Sequence, residues 1–401
     1  MRNRWDIFCK IVDNFGDIGV CWRLSQQLAH EHGLQVRLFI DDFNVASKII
    51  TGLDVAPQAE TVSQTINSVQ ICAWPRLESQ PNTVKNIAVA DVAIETFSCG
   101  LPAHYLQKMQ SSKTVWINLE YLSAESWVSD FHAKPSQHPT LALTKHYFFP
   151  GFSDATGGLI RESNLMATRN AFLKSKALQN EFWRELDLDP TINSIQISLF
   201  CYPQANIRDL FIALDLAAAK AGHTINVLLP LNKELSLSHD VLADFKSSTV
   251  KSSFHDKTLQ KGNLTLHLLP FLTQANYDHL LWACDLNFVR GEDSWIRAIW
   301  AGKPFIWQPY IQAEDADIHK LNAFLDVYLQ NATLEIKSAL YEAHLAWSQS
   351  DGSMPQTWQH LISQLPKIQC YATQQTQKLA EQPDLAAKLV IFSENLSENK
   401  V

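Results

Sequence analysis

The 401-residue chain is 46% hydrophobic and 18% charged, which is enough apolar material for large cores, and a prior of ~100–200 residues per domain gives two domains. Disorder is thereby excluded as the default, and 16 Pro with 13 Gly exclude collagen-like and linker-like classes. The net charge of −8 comes without a basic block, which excludes a protein that tracks nucleic-acid phosphates, because those cluster Lys and Arg.

From the N-terminus the chain opens directly into Trp5-Asp6-Ile7-Phe8-Cys9, with no separate apolar region leading to a cleavage site, so a cytoplasmic protein without membrane attachment is expected. No run approaches the ~20 apolar residues of a membrane-spanning helix. Trp5–Val12, Val36–Ile40, Val69–Trp74, Asp91–Thr96 and Thr114–Leu119 read as strands, with helical spacing in Cys21–His30 and Pro102–Gln110. A similar series follows at Ser194–Cys201, Thr224–Leu229, Leu264–Leu268, Asp285–Val289 and Pro304–Trp307, with helices at Asn206–Ala221, Tyr277–Ala283 and Asp293–Ala301. Alternation of this kind predicts α/β architecture, two Rossmann-like domains facing across a cleft. The expected division is 1–160 and 161–371, with a polar helical stretch at Met166–Glu185 near the boundary. A C-terminal helix within 372–401 is expected to rejoin the first domain, and Ser393–Val401 to fray.

Neither half carries GxGxxG, since Gly16 and Gly19 supply only GxxG, and Gly302-Lys303 lacks the earlier P-loop glycine because position 297 is Arg297. Dehydrogenase and P-loop ATPase chemistries therefore lose their main support. The cysteines, Cys9, Cys21, Cys72, Cys99, Cys201, Cys284 and Cys370, are odd in number, lack CxxC spacing and sit mostly in apolar runs, as reduced thiols do. Asp41-Asp42 and Asp315-Ala316-Asp317 imitate acidic metal motifs but lie on polar, solvated stretches, and no HxxxH or HExxH occurs, so no metal is expected.

Three constellations remain. Asp13-Asn14-Phe15-Gly16-Asp17-Ile18-Gly19 follows the first strand and precedes a helix expected to begin near Val20. Its two carboxylates either point together at a ligand or do local work, Asp17 capping the helix and Asp13 opening an Asx-type turn. Phe288-Val289-Arg290-Gly291-Glu292-Asp293-Ser294 ends a strand and starts a helix, where unpaired N–H groups and the Arg290 fork suit a diphosphate. There the alternative is a capped helix with an acidic first turn. Phe200 and Tyr202, with Phe271, Gln274 and Tyr277, either sandwich a nucleobase or belong to the core.

The blocks Trp5–Cys9, Val12–Val20, Ile94–Phe97, Asn118–Glu125, Gly157–Glu162, Arg290–Ser294 and Ala301–Phe305 resemble the EarP family, the protein-arginine rhamnosyltransferases of bacterial elongation factor P. The resemblance implies a GT-B fold, dTDP-β-L-rhamnose as donor substrate, no cofactor or metal, and inversion at the anomeric carbon to give α-rhamnosyl-arginine. It implies Asp13, Asp17 and Glu292 as catalytic carboxylates, with Asp17 the general base. Asn14, Phe15, Gly16, Arg290, Gly291, Asp293 and Ser294 would hold the donor, and Phe200, Tyr202, Phe271, Gln274 and Tyr277 its thymidine. The family pattern has Phe where this chain has Tyr277. Outside the resemblance, two alternatives stand: a GT-B transferase with another nucleotide sugar or acceptor, and a nucleotide-binding module without turnover.

Overall fold

In the computed structural model, residues 3–13, 15–55, 63–74, 88–188, 194–231, 246–247, 258–349 and 354–398 are described. Two units emerge, Met1–Ser163 with Glu381–Val401, and Asn164–Ala380, rather than a division at 160 and 371. The first is built on β1 (Arg4–Cys9), β2 (Gln35–Ile40), β3 (Ser63–Ile66), β4 (Val69–Ala73), β5 (Val92–Thr96), β6 (Val115–Leu119), β7 (Pro135–Gln137) and β8 (Thr144–Phe148), with α1 (Phe15–Glu31), α2 (Phe43–Ile49), α3 (Ala103–Met109) and α4 (Val128–Phe131). The strand order is β3-β4-β2-β1-β5-β6-β8-β7. All pairs are parallel except the hairpin-like edges β3/β4 and β7/β8.

Strands β1, β5 and β6 are almost wholly buried, as a parallel sheet covered on both faces requires. That is why their sequences are predominantly apolar. The few polar groups among them are paired. Arg37 on β2 grips Asp6 on β1 with both arms of its fork at 2.6 Å, and the Tyr105 hydroxyl of α3 donates to the same carboxylate at 2.5 Å. Burial nevertheless holds the Asp6 carboxyl above its ordinary range.

The second unit contains β9 (Ser194–Leu199), β10 (Thr224–Pro230), β11 (Lys246–Ser247), β12 (Thr258–Lys261), β13 (Leu264–Leu269), β14 (Leu286–Arg290) and β15 (Phe305–Gln308). Its helices are α5 (Leu165–Lys174), α6 (Lys176–Glu185), α7 (Ile207–Ala221), α8 (Gln274–Ala283), α9 (Asp293–Ala301), α10 (Ala316–Tyr328), α11 (Leu334–Gln349) and α12 (Met354–Ala380). The strand order β11-β12-β13-β10-β9-β14-β15 is parallel from β13 to β15. Ser175 splits the expected helix Met166–Glu185 in two, closing α5 and capping α6 by accepting from Leu178 N.

After α12 the chain returns to the first unit as α13 (Leu385–Glu398), which packs on α1 and β6. Gly158, at φ +73°, lets the backbone pass so close beneath Pro383 that a Cβ there would stand 2.7 Å from the Pro383 carbonyl. Leu385 N then donates to Leu159 O. The fraying expected over Ser393–Val401 is corrected as far as Glu398, the remainder lying outside the described residues: Ser393 is buried and the Phe392 ring contacts His146 and Phe148, so the helix continues through Glu398. Apolar packing at its C-terminal half outweighs end fraying.

Both parallel cores follow one plan. Reading outward from β1, the chain adds β2 and β4 on one side, then β5, β6 and β8 on the other. From β9 it adds β10 and β13, then β14 and β15. Each sheet therefore has a topological switch point, at β1/β5 and β9/β14, and ligands of open α/β sheets bind beyond the strand C-termini there.

Candidate active site

At the β1/β5 switch point α1 begins at Phe15, not near Val20, so Gly16, Asp17 and Gly19 lie in its first turns. The reason is the Asp17 side chain. Its Oδ2 accepts N–H bonds from Val12 at 2.7 Å and Asp13 at 2.8 Å, tying the strand exit to the helix start and offsetting the helix cost of the glycines. Gly16 N donates to Asp13 O at 2.7 Å, closing the turn. Asn14 lies outside the described residues.

The local capping role of Asp17 is thus real, yet it occupies only one oxygen. Oδ1 accepts from the Tyr121 hydroxyl at 3.2 Å. Asp17 is 1% exposed, and burial outweighs its three donors, holding its carboxyl above the ordinary range. A raised carboxyl is better matched to proton abstraction near neutral pH than a free one. Asp13 is half-buried and its carboxylate lies against Gly16, where a Cβ would stand 3.0 Å from Oδ2, and Phe15 is half-buried at the start of α1.

The neighbouring strand ends complete this edge. Phe97 and Ser98, directly after β5, both lie in the left-handed region (φ +55° and +53°), which costs ~1–2 kcal/mol per residue. Phe97 stacks on Tyr121 with centroids 4.1 Å apart and planes 9° from parallel, worth ~0.5–1.5 kcal/mol. The stack alone does not offset the strain. Hydrogen bonds complete the support: Phe97 N donates to Leu119 O at 2.7 Å, and the Ser98 hydroxyl donates to Glu120 Oε1 at 2.8 Å. Asn118 also donates to that oxygen. Strained residues held in this way gather at functional edges. Sequence reasoning assigned no role to Phe97, Ser98, Glu120 or Tyr121, because two residues beyond a strand carry no period that says where a side chain points.

At the β9/β14 switch point the Arg290 guanidinium lies between two rings, 4.7 Å from the Phe200 centroid and 4.4 Å from that of Tyr202. Both rings follow β9, whose exit is fixed by Phe200 N donating to Phe288 O. The expected aromatic pair is therefore brought to Arg290, one face of each ring carrying the cation. Ser294 is buried and its hydroxyl is committed to the Arg290 backbone, accepting from its N–H at 3.1 Å and donating to its carbonyl. It clips the strand end to the first turn of α9.

Gly291, at φ +60°, makes the turn, and its carbonyl accepts from Trp307 Nε1 at 2.8 Å. Glu292 stands at the N-cap of α9 without a side-chain cap bond, and Asp293 Oδ2 accepts from Gln274 Nε2 at 3.4 Å. The middles of α8 and α9 are held together by the buried Arg297–Asp278 fork at 2.9 and 2.6 Å. Phe271 is half-buried on the loop leading to α8.

Tyr277 packs edge-on against Phe200 at 5.7 Å, but its hydroxyl is buried beside the Ser294 hydroxyl without a well-formed hydrogen bond to it. Burial pushes its pKa up, so it stays protonated. Tyr277→Phe is expected to stabilise the protein by up to about 1 kcal/mol, since a buried hydroxyl with a poorly formed bond is a cost. Thermal melting checks this, and a lower melting temperature would mean that the hydroxyl is satisfied in solution.

Chemically, one unit offers a buried, tightly held carboxylate beside a second acidic group. The other offers a guanidinium clamp with aromatic walls and the N-terminus of α9, a set suited to a nucleotide diphosphate. Among the described residues no group of acidic, His and Cys side chains is clustered to hold a metal ion, and no helix is long and apolar enough to cross a membrane.

Comparison with known proteins joins these features. The family model for elongation factor P (EF-P) rhamnosyltransferase EarP matches residues 5–394. A protein-arginine rhamnosyltransferase of Pseudomonas putida is 39% identical over 398 residues, spanning 98% of this chain and 100% of that one. Its counterpart in Shewanella oneidensis is 38% identical over 400 residues, spanning 97% of each. A solved structure described as the structural basis for EarP-mediated arginine glycosylation of translation elongation factor EF-P aligns with a TM-score of 0.65 at 30% identity, covering 98% of this chain and 99% of that one.

Proposed function

Since the chain belongs to the EarP family, has the GT-B fold and is a protein-arginine rhamnosyltransferase, we propose that it transfers L-rhamnose from dTDP-β-L-rhamnose to an arginine of elongation factor P, with inversion. One observation carries the division of labour: the two switch points hold opposite chemistry, an acidic pair at Asp13 and Asp17 and a guanidinium between rings at Arg290. The first suits a cationic acceptor and the second an anionic donor.

A guanidinium is protonated at neutral pH and a poor nucleophile. In the proposed reaction Asp13 helps hold it while a guanidinium nitrogen attacks the anomeric carbon. The bond from that carbon to the diphosphate oxygen breaks, the nucleotide diphosphate leaves with the electron pair, and Asp17 takes the N–H proton. The charge on the leaving group falls to Arg290 and the amides at the start of α9, with Glu292 and Asp293 turned to sugar hydroxyls. Phe200, Tyr202, Phe271, Gln274 and Tyr277 surround the thymidine. The cytoplasm is the proposed setting, and all seven cysteines are free thiols, as a reducing compartment favours.

The decisive experiment incubates the protein with elongation factor P and dTDP-β-L-rhamnose and reads the product by mass spectrometry. A deoxyhexose increment on one arginine is expected, and its absence would reject the reading. The donor is tested separately by melting: dTDP-rhamnose should raise the melting temperature more than other nucleotide sugars, because a ligand stabilises the state it binds.

A further inference from the structure

We propose that Tyr121 is a positioning residue for the general base: its hydroxyl, backed by the Phe97 ring, fixes Asp17 Oδ1 and keeps that carboxylate ready to accept a proton. The inference rests on Asp17 being the base. Oδ2 is committed to the Val12 and Asp13 amides, so Oδ1 is the oxygen whose surroundings a side chain controls. Tyr121 does so from the far side of the switch point, beyond β6, and its ring is held in register by Phe97 at 4.1 Å. The turn that presents Phe97 has two successive left-handed residues, an arrangement that the packing of this loop against Leu119 and Glu120 keeps in place.

The other titratable groups facing Asp17 do not supply this function. Asp41, on the loop after β2, repels a negative charge there, Cys9 at the end of β1 has its thiol pushed well up by its hydrogen bond with Cys21 and by burial, and Asp13 contributes its N–H. Tyr121 is thus the side-chain donor that favours the ionised base, against the burial that opposes it.

A hydroxyl donating to a carboxylate lowers the pKa of that carboxyl, so deleting the donor raises it. In Tyr121→Phe the acid limb of the kcat/KM profile should move up by about one pH unit, a 3.2 Å contact being long for a charge-assisted bond. Donor Kd should be unchanged, and the lost rate should return at higher pH. A merely structural role would lower activity evenly across pH together with the melting temperature, and that result, or a limb coincident with wild type, would overturn the proposal. Phe97→Gly, which leaves the hydroxyl but removes its backing, should move the limb the same way; an unmoved limb would overturn the part assigned to Phe97. Asp17→Asn separates the two readings: if it is inactive while Tyr121→Phe behaves as wild type, only this inference fails, and if Asp17→Asn is active the base assignment itself fails.

Discussion

Asp17→Asn is expected to lower kcat by ~10²–10⁴-fold, the range that positioned proton transfer contributes, with donor affinity unchanged. The substitution is clean for a structural reason. An asparagine can turn its carbonyl oxygen to the Val12 and Asp13 amides and its NH₂ group to the Tyr121 oxygen, so every present contact keeps a partner and only the basicity is lost. Asp17→Ala would be ambiguous, because it strands two backbone donors at the start of α1 and costs about 1–3 kcal/mol of stability as well. Single-turnover kinetics with elongation factor P, alongside calorimetric donor titration, reads the two quantities apart. Wild-type turnover in Asp17→Asn would return the residue to helix capping alone.

The second large effect is expected at Arg290. Arg290→Ala removes the cation from between Phe200 and Tyr202 and the fork proposed for the diphosphate, so donor binding should weaken by roughly 10–100-fold, the worth of a hydrogen bond to a charged group. The fold should survive, since the strand end is clipped through backbone atoms of residue 290 by the Ser294 hydroxyl, which any side chain at 290 leaves intact. Arg290→Lys should recover only part of the binding, for an ammonium keeps the charge but neither the fork nor the flat face that stacks between rings. Donor affinity in Arg290→Ala equal to wild type would remove Arg290 from the donor site and leave it a packing residue.

The architecture was legible because parallel strands buried on both faces must be written mainly in apolar residues, and Val92–Thr96 and Val115–Leu119 open on the apolar runs Val92–Ile94 and Val115–Ile117. The margins were not: the edge strands Ser63–Ile66 and Pro135–Gln137 are polar or alternating and pair antiparallel, and Thr144–Phe148, next to the edge, mixes polar residues. Helix α12 was hidden by Pro366, which sequence rules treat as a break but which lies inside a continuous helix here. At the site, the strand-to-helix turns at Asp13–Asp17 and Arg290–Ser294 were visible as motifs. Their internal wiring was not, since whether Asp17 reaches Tyr121, 104 residues away, is decided by strand order rather than by local spacing. Nor could composition reveal that Arg290 would sit between Phe200 and Tyr202, because β9 and β14 become neighbours only through the crossover that also brings in β10 and β13.

The return of α13 to the first unit ties the order of synthesis to the assembly of the acidic site. Gln27 on α1, the helix that begins beside Asp17, donates to the Asp384 carboxylate at 3.0 Å and to Arg161 O at 2.7 Å. The helix that begins beside Asp17 is therefore braced by a residue 357 positions further along the chain. Domains usually close in the order they are made, N-terminal first. Here the first unit has to wait, this brace arriving only after the whole of the second unit, Asn164–Ala380, has emerged.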